Sequence, residues 1–305
     1  MTAIPGLIIR LQSGFYTVQT QDGPQICNLR GRLKKGRRSG DVAALGDHVL
    51  VTPIAPGRGM IEAIADRNRT LSRTAPTPRG EYQQIIIANP DQAVFIFACA
   101  RPSARFGMLD RFLVIAEKQV IPAVIIANKV DLVGLETARL LFGHYTQLGY
   151  PVIYTSVKTV EGFDELHRCL AGKISVLAGP SGVGKSSLLN VLLPDLRLKA
   201  QEVSQATTKG KHTTVVRELY PLPAGGYVAD TPGLKALALW DIEAEELDGY
   251  FPEMQPLVAE CQFNNCTHVH EPGCAILAAV EAGQIHPQRY QSYLRMRFGE
   301  SEAAE

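Results

Sequence analysis

The sequence has no long apolar run. Nothing in its 305 residues approaches the ~18 apolar residues a membrane-crossing helix requires, and Pro122 interrupts the longest candidate, near Val120–Ala127. The opening Met1-Thr2-Ala3-Ile4-Pro5 lacks the basic segment and apolar core of a secretory signal, so a cytoplasmic location is expected. Cysteine is scarce, and six thiols in a cytoplasmic chain argue against a disulfide framework. Net charge is nearly absent, +1 over the whole chain, but that balance conceals a polarity. Residues 1–73 carry eleven Lys/Arg against five Asp/Glu, whereas residues 241–305 carry three against twelve. A basic first part faces a polyanion more readily than the whole-chain figure suggests. The hydrophobic (46%) and charged (20%) fractions are those of a soluble globular protein.

What is present is organised around Gly179-Pro180-Ser181-Gly182-Val183-Gly184-Lys185-Ser186-Ser187. The apolar run Ile174–Ala178 before it reads as a buried strand, and Leu188–Leu193 after it as a helix stopped by Pro194. Strand, glycine-rich turn and helix start form the context of a phosphate loop. Its glycines let successive backbone N–H groups point into one concavity, and the helix N-terminus adds partial positive charge. Lys185 is expected to reach the β- and γ-phosphates, and the Ser186 hydroxyl to ligate Mg²⁺. On this motif alone a guanylate kinase is a rival, since its phosphate loop is similar.

From Leu7 to about Asn68, five short apolar runs (Leu7–Leu11, Phe15–Thr20, Ile26–Leu29, His48–Pro53 and Met60–Ala65) alternate with turn signals. They predict a small antiparallel barrel, most economically an OB-fold that binds RNA, over residues 1–73. Within it, Arg30–Arg38 holds six cations in nine residues. Two glycines make a stable helix unfavourable there, and the uncompensated charge suits a phosphate backbone. Residues 74–84, opening with Thr74-Ala75-Pro76-Thr77-Pro78, read as a linker unable to extend a strand or helix. Residues 85–238 then alternate strands (Ala93–Ala98, Ala123–Ala127, Val152–Thr155) with helices (Leu109–Lys118, Leu135–Leu148, Phe163–Leu170). That pattern predicts a parallel sheet with helices on both faces.

Asn128-Lys129-Val130-Asp131 closes the Ala123–Ala127 strand, at the end where such sheets bind ligands. An Asp131 carboxylate accepts from both N1–H and the exocyclic amine of guanine, whereas adenine would leave it unpaired. Lys129 can lie over the base, and Asn128 can tie this loop to the phosphate loop. Ser156 and Val157, after the next strand, are expected nearest the ring. Asp230-Thr231-Pro232-Gly233 ends the strand at Tyr227–Ala229: Asp230 suits a water-mediated Mg²⁺ contact and the Gly233 N–H the γ-phosphate. The polar stretch Thr207–Thr214 has the character of a switch, with Thr213 or Thr214 available to Mg²⁺. The base loop precedes the phosphate loop by about fifty residues, the reverse of the usual order, so the domain is circularly permuted.

Residues 239–305 turn acidic and helical, with runs at Ile242–Leu247, Cys274–Ala282 and Pro287–Phe298. Cys261, Cys266, His268 and Cys274 match the Cys₃His inventory of a closed structural zinc site; His270 is an alternative to His268. Cys27, Cys99 and Cys169 read as small core residues. Arg289, Arg295 and Arg297, beside Tyr290 and Tyr293, either touch RNA or cap the module.

Taken together, barrel, permuted nucleotide motifs, Gly210-x-His212-Thr213-Thr214 and zinc cluster resemble the ribosome small-subunit-dependent GTPase A (RsgA) family over the whole chain. The resemblance implies GTP hydrolysis stimulated by the small ribosomal subunit in its late maturation. It also implies rRNA contact, one Zn²⁺ with His268 as the fourth ligand, Mg²⁺ with the nucleotide, and a monomer. Leu234 stands where a water-orienting Gln follows the glycine in conventional GTPases. His212 is the candidate to supply the missing group, with RNA contact or ordering of the switch its alternative role. An assembly factor whose nucleotide site is a passive latch is the competing reading; a nucleotide kinase is disfavoured because this chain carries Asn128–Asp131 and Asp230–Gly233, which a guanylate kinase has no reason to carry.

Overall fold

In the first strands, buried and solvent-facing residues alternate, the mark of a sheet with one face on a core. Strands β1 (Ile4–Gln12), β2 (Phe15–Thr20), β3 (Gly23–Leu29), β4 (His48–Ala55) and β5 (Arg58–Ile64) pair β1–β2, β2–β3, β3–β5, β5–β4 and β4–β1. All pairs are antiparallel except β3–β5, and the circuit closes a five-stranded barrel of the expected OB type. Ile8, Val18, Cys27, Leu29, Val49, Val51 and Ile61 fill it. The computed structural model describes residues 2–34, 41–77, 80–194, 217–230 and 242–299.

The chain divides into two compact units. The first comprises residues 1–93, 164–178 and 185–234; the second comprises residues 94–163, 179–184 and 235–305. In the first unit the supposed linker is a hairpin, β6 (Thr70–Thr77) paired antiparallel with β7 (Gly80–Ala88) from Thr70↔Ala88 to Thr77↔Gly80. Proline lacks only the N–H, and in a two-stranded ribbon an unpaired position costs nothing, so Pro76 is tolerated. A further strand that the sequence pattern did not reveal, β12 (Arg217–Pro221), pairs antiparallel with β1 through Arg10↔Glu218 and Leu11↔Arg217. Its other edge pairs with β13 (Tyr227–Asp230), which runs parallel to β11 (Ile174–Ala178). Helices α3 (Phe163–Leu170) and α4 (Lys185–Leu192) complete the described helices assigned chiefly to this unit. The basic segment begins as a 3-10 turn, Gly31–Lys34, and Glu62 offsets it: Arg30 reaches that carboxylate at 2.8 Å and Arg32 at 3.6 Å. Lys35–Arg38 lie outside the described residues.

The second unit carries β8 (Gln92–Ala98, the unit beginning at Val94), β9 (Ala123–Asn128) and β10 (Val152–Thr155), in the order β10-β9-β8 with β10 parallel to β9. β8 and β9 are buried at every position, as parallel strands covered on both faces must be. Helices α1 (Phe106–Lys118) and α2 (Leu135–Gln147) connect them. The acidic C-terminal part folds as 3-10 turns at Ala244–Tyr250 and Gln255–Glu260, then α5 (Ala275–Glu281) and α6 (Pro287–Phe298). The first of these replaces the expected helical run at Ile242–Leu247. Its core of Leu247, Phe251, Met254, Ile276, Ile285 and Tyr293 takes in Val114 of α1.

The Arg289 question resolves here in favour of closing the module. Arg289 is fully buried, donating to Asp110 of α1 at 2.7 Å and to both Glu253 oxygens at 2.7 and 3.1 Å. Burial raises the Asp110 carboxyl above its usual value, while the Arg289 charge pulls it back. For Arg289, the carboxylates outweigh burial and hold it charged. Arg297 donates to Ala244 O and the Tyr293 hydroxyl, so it too faces the module. Cys27 and Cys99 are buried, each thiol pushed up to about 11 by burial, and Cys169 is half-buried, its thiol also raised by burial. Among the described residues no helix is long and apolar enough to cross a membrane.

Asp47 anchors the first unit: wholly buried, it receives Arg67 Nε and Nη2 at 2.7 and 2.8 Å and the Ala44 N–H at 2.7 Å. Arg67 also reaches the Asp41 carbonyl, and the Asp41 carboxylate receives the Tyr82 hydroxyl and Ile85 N–H of β7. Removing one partner of such a pair strands the other charge. Asp47→Ala is expected to destabilise by about 3 kcal/mol, read as a lower denaturant midpoint, while Asp22→Ala on the exposed turn stays within about 0.5 kcal/mol.

Candidate nucleotide pocket and metal centre

The base loop and the phosphate loop meet through one amide. Asn128, buried at the end of β9, donates from Nδ2 to Val183 O at 2.8 Å and accepts at Oδ1 from the Thr155 hydroxyl at 3.0 Å. A buried amide needs both halves satisfied, and here it is. Its backbone carbonyl also receives Cys99 N–H at 2.8 Å, continuing the β8–β9 pairing. The bond between loops expected of Asn128 is therefore present.

This bridge explains a glycine. A Cβ on Gly184, whose φ is +98°, would lie 2.5 Å from Asn128 Nδ2. Gly179 is required for a different reason: a Cβ there would fall 2.1 Å from the Ile96 carbonyl oxygen of β8. The loop then runs directly into α4, whose first residues are Lys185 and Ser186. Lys129 adopts a left-handed conformation (φ +63°) and sends Nζ to Gly182 O at 2.7 Å and to Arg101 O, so its stem spans the space beside the phosphate loop.

Asp131, in the 3-10 turn Val130–Leu132, is exposed and accepts from the Ser156 hydroxyl at 2.7 Å. Ser156 is buried, and its Oγ accepts the Thr159 N–H at 3.2 Å, which turns its proton toward Asp131. Its backbone pairs with Glu161, fixing the Ser156–Val157 loop. Asn128, Lys129, Asp131, Ser156 and the turn through Gly179–Gly184 are thus gathered in the second unit. Asp230 ends β13, but its side chain is outside what is described. His212, Thr213, Thr214, Gly233 and Leu234 lie outside the described residues altogether.

Cys261, Cys266, His268 and Cys274 have ligand atoms all within 4.8 Å of one another. The Cys261 and Cys274 sulfurs are 3.9 Å apart, and His268 Nδ1 lies 3.6 and 3.4 Å from them. Bonds of about 2.3 Å to sulfur and 2.0 Å to nitrogen, set tetrahedrally, give edges of about 3.8 and 3.5 Å. The residues therefore fit zinc, and His268 is the imidazole on hand; His270 is exposed. His268 Nε2 faces Asp248 Oδ2 at 3.0 Å, a carboxylate the sequence pattern did not single out. That bond leaves the lone pair on Nδ1, where a metal would sit. Glu271 shapes the ligand loop, accepting from the Thr267 hydroxyl and from the N–H groups of Thr267, Val269 and His270. Although desolvation opposes it, these donors hold the Glu271 carboxyl well below the ordinary range.

One Zn²⁺ per chain is expected by elemental analysis of the purified protein. Asp248→Asn is expected to retain it but to lose it to a competing chelator at about tenfold lower chelator concentration.

The chain matches two family models, the RsgA N-terminal domain over residues 5–61 and the RsgA GTPase over residues 64–240. It is 44% identical over 299 residues to the small ribosomal subunit biogenesis GTPase RsgA of Gemmatimonas aurantiaca, covering 97% of each chain. The protein of the same name from Moorella thermoacetica is 44% identical over 95% of this chain and 94% of its own. Among solved structures, YjeQ from Thermotoga maritima superposes with a TM-score of 0.79 at 37% identity, covering 97% of this chain and 98% of that one. YloQ, described as a circularly permuted GTPase, gives 0.76 at 32% identity, covering 97% and 94%. With the bridged loops, the barrel and the Cys₃His cluster on one polypeptide, this chain belongs to the RsgA GTPase family.

Proposed function

We propose that this protein hydrolyses GTP to GDP and phosphate on the small ribosomal subunit, during the subunit's late maturation, and that nucleotide state governs its release. The observation that carries the reading is the Asn128–Val183 bond: it holds a guanine-type base loop against a phosphate loop, in permuted sequence order. Family membership supplies the ribosomal setting.

In this reading Asp131, aimed by Ser156, accepts from N1–H and the exocyclic amine of guanine, with Val157 beside the ring and the Lys129 stem over it. The backbone N–H groups of the Gly179–Ser187 loop, Pro180 excepted, cradle the phosphates and Lys185 neutralises them. Mg²⁺, taken up with GTP, would supply positive charge against the charge that develops on the phosphates. Ser186, Asp230 through water, and Thr213 or Thr214 are the residues to hold it, and the Gly233 N–H contacts the γ-phosphate. His212 orients the attacking water in place of a glutamine, since Leu234 cannot. Residues 1–73 contact rRNA, the β6–β7 hairpin takes the place of a linker at 74–84, 85–238 carry the GTPase motifs, and 239–305 form a module stapled by zinc. The protein acts in the cytoplasm as a monomer, apart from membranes.

Phosphate release from GTP and from ATP, each with and without purified small subunits, tests this. Stimulated release is expected from GTP alone, and His212→Ala is expected to lower the stimulated rate about a hundredfold. GTP-dependent subunit binding without stimulated release would instead make the nucleotide site a latch.

A further inference from the structure

Two arginines after β8 stand where the backbone disfavours them. Arg101 has a φ of +50°, in the left-handed region that suits glycine or asparagine better than a long side chain. Arg105 occupies the N-cap of α1, where Ser, Thr, Asp or Asn would accept from the first free N–H groups. The helix instead has no side-chain cap and no acid in its first turn, and its positive end opposes a cation. Neither side chain serves the core, since both are exposed. Among the described residues neither guanidinium has a carboxylate partner, and the next acid in the chain, Asp110, is buried against Arg289. Local rules broken with no gain in packing point to a function.

The backbone of Arg101 is fixed against the phosphate loop. Lys129 Nζ donates to the carbonyls of both Arg101 and Gly182, so one ammonium ties the two segments together. A Cβ on Gly182 would lie 3.5 Å from Pro102 Cδ, in ordinary contact, which sets residues 101–102 alongside the turn. Ser181 and Gly182 are exposed, so this part of the turn is open to a ligand. A guanidinium free of acids offers a planar fork of donors that matches two phosphate oxygens. All the charge of a guanine nucleotide lies on its phosphates, so the attraction grows from GDP to GTP. We infer that Arg101 is a further nucleotide-binding residue: its guanidinium takes phosphate oxygens of the nucleotide held by the Gly179–Gly184 turn, and Arg105 strengthens the positive field there. This rests on the reading of the pocket as a guanine-nucleotide site and adds to it a phosphate ligand from outside the sequence motifs.

The full chain and its Arg101→Gly, Arg101→Lys and Arg105→Ser variants are titrated with guanosine, GDP and non-hydrolysable analogues of GTP and ATP, at two salt concentrations. Each is also melted without nucleotide. Arg101→Gly should keep or raise the melting temperature, because glycine accepts the left-handed backbone. It should nevertheless weaken the GTP analogue about tenfold, GDP by less and guanosine not at all. Its remaining affinity should fall less steeply with salt than that of wild type. Arg101→Lys, which keeps the charge without the fork, should bind the GTP analogue better than Arg101→Gly does. Arg105→Ser should melt higher through its N-cap and weaken the GTP analogue about threefold. An unchanged GTP-analogue affinity in Arg101→Gly would refute the inference and leave the pocket reading standing. An equal loss of guanosine would also refute it, since the residue would then only shape the loop around Lys129. If wild type bound the GTP analogue no better than the ATP analogue, the pocket reading would fail and this inference with it.

Discussion

A single side-chain amide fixes the geometry on which the pocket depends. Asn128 stands at the carboxyl end of a wholly buried strand, out of reach of water, so each half of its amide must find a protein partner. One half takes the Val183 carbonyl of the phosphate loop, the other the Thr155 hydroxyl of the neighbouring strand. Truncating it would orphan both groups at about 1–3 kcal/mol apiece. The constraint propagates: Gly184 has no room for a Cβ, and the carbonyls of Gly182 and Arg101 hold Lys129 in its left-handed turn. Two residues past Lys129, Asp131 projects where Ser156 can orient it. Chain order is immaterial to this arrangement, because the bond joins strand ends rather than sequence neighbours.

The same compact unit contains the metal cluster. Tyr290 and Tyr293 of α6 donate to the carbonyls of His268 and Thr267, and Arg289 of α6 donates to Asp110 of α1. The Tyr145 hydroxyl of α2 donates to the same Asp110 oxygen. His144, beside it, stacks on His286 at the start of α6 with ring centroids 4.2 Å apart; burial first, then the neighbouring His286 and Arg289 charges, lowers its pKa to about 4. A neutral imidazole therefore packs there at physiological pH. Helix α6 and its cap residue His286 thus contact the ligand loop on one side and α1 and α2 on the other.

Local rules were enough to read the parts of the molecule where local chemistry decides. β2, β10, β11, α3 and α6 have the expected bounds because alternation, apolar runs and turn residues all agree there. The three clustered cysteines and the two loops were readable from spacing, since metal and phosphate geometry demand particular residues close in sequence, whereas spacing left His268 and His270 open and only the family resemblance favoured His268. Longer-range facts left no such trace. The β6–β7 hairpin overrides a proline that sequence alone reads as a breaker, and β12 is recognised as a strand only through β1 and β13. Arg289 looks like a surface cation until Asp110, 179 residues away, is placed beside it. Asp248 is invisible as a partner of His268 for the same reason.

The central claim is that Asp131 selects guanine by accepting two hydrogen bonds. The direct measurement is the affinity of wild type and Asp131→Asn for GTP and for xanthosine triphosphate, whose C2 carbonyl replaces the amine. The account predicts that the variant loses GTP by at least about a hundredfold and gains the xanthine nucleotide, since an amide donor now faces that carbonyl. An Asp131→Asn protein that still prefers GTP as wild type does would contradict it.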